Sequence, residues 1–211
     1  MNLLLGCVRL ENGRRPFLDG LEELPPTDQA KVLAWAKRLA AHEELRRPPY
    51  AKHLDDGIFE LRLSLRAGEH RSFFFYCRGD RLIFTHGYLK KTDKTSPAEI
   101  VRAGRMRDYY ENCEPPPHAG LDESLKRKLQ NPDFRAAYEA EDKRIELVLQ
   151  IIKLRQQRGM TQADLAKAIG TRQANVSRLE RFDANLTLGT LEKVGRALGA
   201  SLRIDLKLKT A

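Results

Sequence analysis

Charged side chains that could act on a phosphodiester concentrate between residues 52 and 91. Cleaving RNA through its 2′-hydroxyl needs cations to stabilise charge on the phosphate, a proton acceptor and a proton donor. Glu60 and His86 are the available acid–base groups, and the spacing of His86 also fits a buried core histidine. The basic candidates for catalysis are Arg62, Arg71, Lys90 and Lys91, and those for RNA binding are Lys52 and Arg66. These residue types suit nuclease chemistry, and by themselves they suit a solvated basic face at least as well.

A second group of side chains, between residues 161 and 181, could read DNA bases. Thr161 and Asp164 predict a capping box at the start of one helix, and Gly170 permits a tight turn into the next. At 100° per residue, the outward arc of that next helix carries amide and guanidinium groups able to bond adenine or guanine edges. The candidates there are Arg172, Gln173, Ala174, Asn175, Ser177 and Arg178. The alternative is a helical bundle that binds only protein.

The elements that must position the first group are strands flanked by helices. Alternation of apolar and charged residues predicts a strand over 58–66, with Glu60, Arg62 and Arg66 on its charged face. Strands over 70–77 and 82–88 complete an antiparallel meander, and residues 3–8 could form another. The predicted helices of this half cover residues 17–24, 26–42 and 97–110.

A run of three prolines, at 115–117, divides the chain. Proline excludes helix and favours an extended spacer, so we predict a domain over 1–113, a linker over 114–120 and a domain over 121–211. The second domain is predicted to have helices over 121–129 and 131–158, three short helices and an amphipathic strand over 202–208. The expected fold is α+β with two domains. Helices packed on a small antiparallel sheet are followed by an all-α helix-turn-helix domain with a C-terminal strand.

Composition narrows the function classes. With 41% hydrophobic and 32% charged residues the chain can form cores, which excludes a wholly disordered protein. No apolar run approaches the ~18 residues that span a bilayer, and the start lacks a signal-peptide pattern, so we expect a cytoplasmic protein without membrane contact. Three scattered cysteines predict neither disulfides nor a thiolate zinc site, and no metal or cofactor is expected. A net charge of +9 suits polyanionic partners.

The Thr-Gln…Leu-Ala…Gly…Ser-Arg-Leu-Glu pattern within 161–180 resembles the lambda-repressor-like (Xre) helix-turn-helix family, with a match over 147–199. The resemblance implies that Gln162 clamps a DNA phosphate, while Gln173, Ala174, Asn175 and Arg178 face the bases. The leucines at 121, 125 and 129 and the residues from 131 to 138 look like those of a HigA-type antitoxin. Any helical extension that packs on the DNA-binding core is the alternative for that segment.

Three motifs of the first half resemble the RelE/HigB toxin superfamily, roughly over 14–111. They are Asp-Gly-Ile-Phe-Glu-Leu-Arg at 56–62, Arg71 after the turn, and His-Gly-Tyr-Leu-Lys-Lys at 86–91. The resemblance implies a RelE-like fold and an mRNA endoribonuclease that acts on the ribosome. It also implies that Arg62, Arg71 and one of Lys90 or Lys91 are catalytic. Ser96 and Pro97 stand where the superfamily usually has an aromatic residue.

Toxin-like and antitoxin-like halves in one chain predict a fused type II toxin–antitoxin of the HigB–HigA kind, whether joined by nature or by an engineer. The toxin half would be neutralised in cis or in a domain-swapped dimer, and the antitoxin half would bind operator DNA and repress its own operon. A homodimer is expected, since one helix-turn-helix reads half a palindromic site. The alternatives are a transcriptional regulator with an inactive RelE-like domain and a protein-interaction scaffold.

Overall fold

The computed structural model describes residues 2–48, 50–78, 80–90, 96–113, 118–181 and 186–204. The chain divides into two compact units, Met1–Lys143 and Arg144–Ala211. The predicted mixed α+β architecture with a C-terminal helix-turn-helix region is confirmed. The RelE-like assignment and the expected domain limits stay predictions. Within the described ranges, no helix has the length and apolar character needed to cross a membrane.

A mixed sheet forms the centre of the first unit, and its described strands lie in the order β2-β3-β4-β5-β1-β6. The strands are β1 (Leu4–Val8), β2 (Ala51–Asp55), β3 (Ile58–Leu65), β4 (Gly68–Cys77), β5 (Arg81–Leu89) and β6 (His118–Gly120). The predicted meander is β3 to β5. The expectation of a wholly antiparallel sheet was wrong, because β1 pairs with β5 in parallel. The helices between β1 and the meander provide the long crossover that parallel pairing requires.

Helices surround this sheet. They are α1 (Pro16–Glu22), α2 (Pro26–Ala41), α3 (Pro97–Asn112), α4 (Leu121–Lys128) and α5 (Pro132–Gln157), with a 3-10 turn at Glu43–Arg46. Each of α1, α2 and α3 begins with a proline, which loses no hydrogen bond at that position because the first backbone N–H groups have no partner within the helix. The boundary between the two units falls inside α5.

Helices cover both faces of the sheet. On one face Phe17 of α1 stacks on Phe84 of β5, with ring centroids 4.4 Å apart. On the other face Ala103 and Tyr110 of α3 join a core cluster with Phe73 of β4. Glu60, which the alternation placed on the charged face of β3, is fully buried.

The segment after the predicted linker packs in the first unit. β6 pairs antiparallel with β1, and Leu121 and Leu125 of α4 are buried. On α5, Asp142 accepts two hydrogen bonds from Arg38 of α2, at 2.5 and 2.7 Å, and Glu141 accepts one from Trp35. Residues 118–143 therefore lie against the α1–α2 side of the sheet.

The second unit contains the end of α5 and three short helices, α6 (Gln162–Ala168), α7 (Gln173–Glu180) and α8 (Leu188–Ala197). The buried apolar residues of this unit are Ile145, Val148, Ile151, Ile152, Leu165, Ala166, Val176, Leu179, Val194 and Leu198. The predicted strand over 202–208 is not seen at 201–204, which have no regular structure, and residues 205–208 lie outside the described part. A strand needs a neighbouring strand to bond with, and the described part of this unit supplies only helices.

Candidate nucleic-acid interfaces

The start of α6 is fixed by the predicted capping box. The Thr161 hydroxyl accepts a hydrogen bond from the Asp164 backbone, and the Asp164 carboxylate accepts one from the Thr161 backbone, at 3.1 and 2.8 Å. Hydrogen bonds from the Thr161 hydroxyl and backbone hold the pKa of Asp164 below its usual range. Gly170 takes a φ of +70°, which permits the turn into α7. These residues set the angle at which α7 leaves the turn.

One side of α7 is exposed and polar. Its exposed residues are Arg172, Gln173, Ala174, Asn175 and Arg178, as the outward arc predicted. Ser177 is an exception to that prediction, since only 8% of it is accessible. It lies among the inward residues of α7, and the guanidinium of Arg181 donates to its hydroxyl at 2.9 Å. The inward arc of α7 is therefore wider than the periodicity indicated.

A hydrogen-bonded chain beneath this side fixes two of the candidate amides. Buried Glu180 accepts two hydrogen bonds from Arg155 of α5, at 2.6 and 3.0 Å, and one from Gln162 at 2.8 Å. Gln162 in turn accepts a hydrogen bond from Gln173 at 2.9 Å. Arg155 and Glu180 were not among the predicted site residues, because periodicity does not pair residues on separate helices. Their ion pair orients Gln162 and Gln173 before any ligand binds.

The second candidate interface is on β3 and β4, on the side of the sheet that carries α3. Arg62 and Arg71 are directly paired across the two strands, and Glu60 precedes Arg62 on the same side of β3. The Nε of Arg62 donates to Glu60 Oε2 at 2.7 Å, and the Nε of Arg71 lies 3.3 Å from Oε1. The structure thus brings three of the predicted residues together around one buried carboxylate.

A second carboxylate, that of Glu69, contacts Arg71, whose side chain is only 8% exposed. Its Nη1 contacts Glu69 Oε2 at 3.3 Å and donates to the His70 carbonyl at 3.1 Å. Glu69 also accepts a hydrogen bond from Ser64. The carboxylates of Glu60 and Glu69 therefore lie beside the two arginines. Arg62, whose side chain is 38% exposed, is the arginine that reaches solvent.

The remaining predicted basic residues are more scattered. Lys52 is exposed on β2 directly opposite Glu60. The prediction that Arg66 shares a strand face with Glu60 was wrong, because β3 ends at Leu65 and Arg66 lies in the turn, where its backbone donates to Asp28. Lys90 follows β5, with its backbone bonded to β4, and Lys91 lies outside the described residues.

His86 is enclosed between β5 and α3. One ring nitrogen lies 3.0 Å from the Thr85 hydroxyl and the other 2.8 Å from the carboxylate of Glu99. Burial, together with the nearby Arg102, lowers the pKa of His86 to about 4. The ring also stacks on Phe73. These surroundings are those of a core histidine that joins a strand to a helix.

A second buried histidine, His70, was missed by the sequence reasoning. Its ring packs against Gly87 of β5, where an added Cβ would come within 2.9 Å of it. Burial lowers the pKa of His70 to about 4. The glycine in the His-Gly-Tyr motif was the sequence signal that could have indicated a bulky side chain packed against β5 at this point. Among the described residues, no group of His, Cys, Asp or Glu is arranged to hold a metal ion.

Two known families match separate parts of the chain. Residues 19–108 match the family described as Phage derived protein Gp49-like. Residues 151–204 match the helix-turn-helix family. The first match contains Glu60, Arg62 and Arg71, and the second contains all of α6, α7 and α8.

Curated relatives share part of the sequence. Antitoxin HigA1 of Mycobacterium tuberculosis, in strains CDC 1551 / Oshkosh and ATCC 25618 / H37Rv, is 35% identical over 80 residues, or 38% of this chain and 54% of HigA1. Antitoxin HipB of Escherichia coli strain K12 is 43% identical over 51 residues, or 24% of this chain and 58% of HipB. The chain therefore spans little more than half the length of these relatives.

Proposed function

We propose that the second unit is a DNA-binding antitoxin module that recognises operator DNA and represses its own operon. The exposed side of α7 carries this proposal, because it presents Gln173, Asn175 and Arg178 on a helix fixed by a buried ion pair. Glutamine and asparagine bond adenine edges in the major groove, and arginine bonds guanine. The likeness to HigA1 and HipB, both named antitoxins, supports the same function.

The test is binding of the full chain to duplex DNA from its own upstream region, measured by fluorescence anisotropy. Gln173→Ala and Arg178→Ala should each weaken binding about tenfold or more, because each removes a base contact worth about 1–3 kcal/mol. Lys153→Ala, an exposed change on α5, is the matched control and should change affinity little. Unchanged affinity in both α7 variants would refute base reading by α7.

For the first unit we propose an mRNA endoribonuclease of the toxin type, acting on the ribosome and inhibited by the attached antitoxin module. The observation that favours it is the arginine pair, Arg62 and Arg71, held around Glu60. Two guanidinium groups on adjacent strands could stabilise charge on a phosphate during cleavage. The alternative is a regulator whose first unit keeps this fold without catalysis.

Translation and mRNA integrity in cells separate these two proposals. The full chain, the 1–113 fragment and the fragment with Arg71→Ala would each be induced. A nuclease predicts that the fragment cuts mRNA and that either Arg71→Ala or the attached second half stops it. An inactive first unit predicts intact mRNA in all three cases, with the fragment confirmed as folded by circular dichroism.

A further inference from the structure

Glu60 lies where it could not accept a proton from RNA. It has no exposed surface, and it lies beside Phe73, which α3 covers. A general base must come within hydrogen-bond reach of the proton it removes. Because Glu60 is buried beneath two guanidinium groups, a ribose 2′-hydroxyl would meet the arginines first.

Each carboxylate oxygen of Glu60 contacts an arginine. Oε2 accepts the hydrogen bond from Arg62, and Oε1 faces Arg71. The contact with Arg71 is an ion pair and not an aligned hydrogen bond, since this Nε has no hydrogen-bond partner among the described residues. In both arginines it is Nε that faces the carboxylate.

We infer that Glu60 is a positioning residue, which holds Arg62 and Arg71 as a pair for one RNA phosphate. Cα atoms of directly paired residues on antiparallel strands lie about 5 Å apart, close enough for both side chains to address the same phosphodiester. Arg62 makes the accessible contact, and Arg71 stands behind it. This inference rests on the RNA role proposed for the first unit.

Within the first unit Arg62 gives the pair an accessible contact, since 38% of its side chain is exposed. Residues 118–143 contact the α1–α2 side, where Lys128 donates to Gln29 and Arg38 donates to Asp142. The arginine pair is on the α3 side of the sheet. These described residues of the first unit therefore do not lie over the pair, and RNA binding is measured on the full chain.

The experiment measures anisotropy of a fluorescent single-stranded RNA whose riboses are 2′-O-methylated, so that it binds without being cut. Glu60→Gln should weaken binding by the full chain about tenfold, as should Arg62→Ala. If Glu60 acts only through the two arginines, adding Glu60→Gln to a variant that carries both Arg62→Ala and Arg71→Ala should weaken binding no further. The matched control is Glu141→Gln, a mostly buried carboxylate on the α2 side, which should bind as the wild type does.

The outcomes separate the two proposals. Wild-type binding by Glu60→Gln, with weak binding by Arg62→Ala, would overturn the positioning role and leave the RNA role standing. Wild-type binding by Arg62→Ala and Arg71→Ala would overturn the RNA role itself. If Glu60→Gln does not fold, Glu60→Asp keeps the charge on a shorter side chain that cannot reach both arginines. It should bind less tightly than the wild type, and equal binding would overturn the inference.

Discussion

Gly87 of β5 packs closely against the His70 ring. A Cβ at this position would lie 2.9 Å from Cε1 and 3.0 Å from Nε2 of His70, and 3.1 Å from the Arg71 carbonyl. His70 is buried and bonded to Ser72, so the ring has little room to move. The motif glycine is thus explained by packing between two central strands.

Gly87→Ala should lower the free energy of unfolding by about 1–3 kcal/mol, because the added methyl group overpacks the core. Gly104→Ala on α3 is the control, since nothing lies within 4 Å of its added Cβ. That change should stabilise the helix by up to about 1 kcal/mol. Urea unfolding followed by Trp35, the single tryptophan, measures both. A Gly87→Ala variant as stable as the wild type would contradict this account.

Acid should destabilise the first unit through its two buried histidines. The folded pKa of His70 and of His86 is about 4, below the ordinary 6.5. As the pH falls below 6.5, these histidines take up protons in the unfolded chain before they do so in the folded protein. The stability that is fully present above pH 6.5 is therefore lost progressively between pH 6.5 and pH 4. The loss is at most about 3 kcal/mol per histidine.

The effect belongs to the first unit, because the second unit contains no histidine in its sequence. Urea midpoints followed by Trp35 should fall between pH 7 and pH 5. Replacing both histidines by glutamine should flatten this dependence. A pH-independent midpoint for the wild type would show that neither histidine is held neutral.

At the level of elements, α5 is held to α2 by charge. Arg38 and Asp142 form a two-pronged ion pair, with side chains 18% and 31% exposed. Arg38→Ala should cost about 1–3 kcal/mol, because it leaves a partly buried carboxylate without its charged donor. Arg47→Ala breaks an exposed pair with Glu43 and should cost much less. Equal effects of the two changes on the Trp35 urea midpoint would contradict this.

The sequence predicted elements with strong local signals and missed those without. Pro26 and Pro97 begin helices as predicted, because proline fits the first helical turn. β2 and β6 were missed because edge strands need no apolar alternation and β6 has three residues. Helix periodicity located the exposed residues of α7. The burial of Glu60 could not be predicted, because it depends on α3, far away in the chain.

At the scale of the whole molecule, the proposed operator recognition requires two copies of the chain. We expect a two-fold dimer on a palindrome whose half-sites are about 10 base pairs apart, one turn of DNA. Inserting about five base pairs between them places the half-sites on opposite sides of the duplex and should weaken binding at least tenfold. Anisotropy and light scattering with both duplexes provide the measurement. Equal affinity for the two duplexes would favour a chain that binds as a monomer.

The sixth strand has a consequence for how this gene could be divided. β6 follows the proline run and covers β1, which would otherwise be the bare edge of the sheet. A gene split at the prolines would assign that strand to the downstream product. The upstream product would be made with an open edge, the kind of surface on which chains aggregate. Keeping both halves in one reading frame supplies the covering strand with every copy of the sheet.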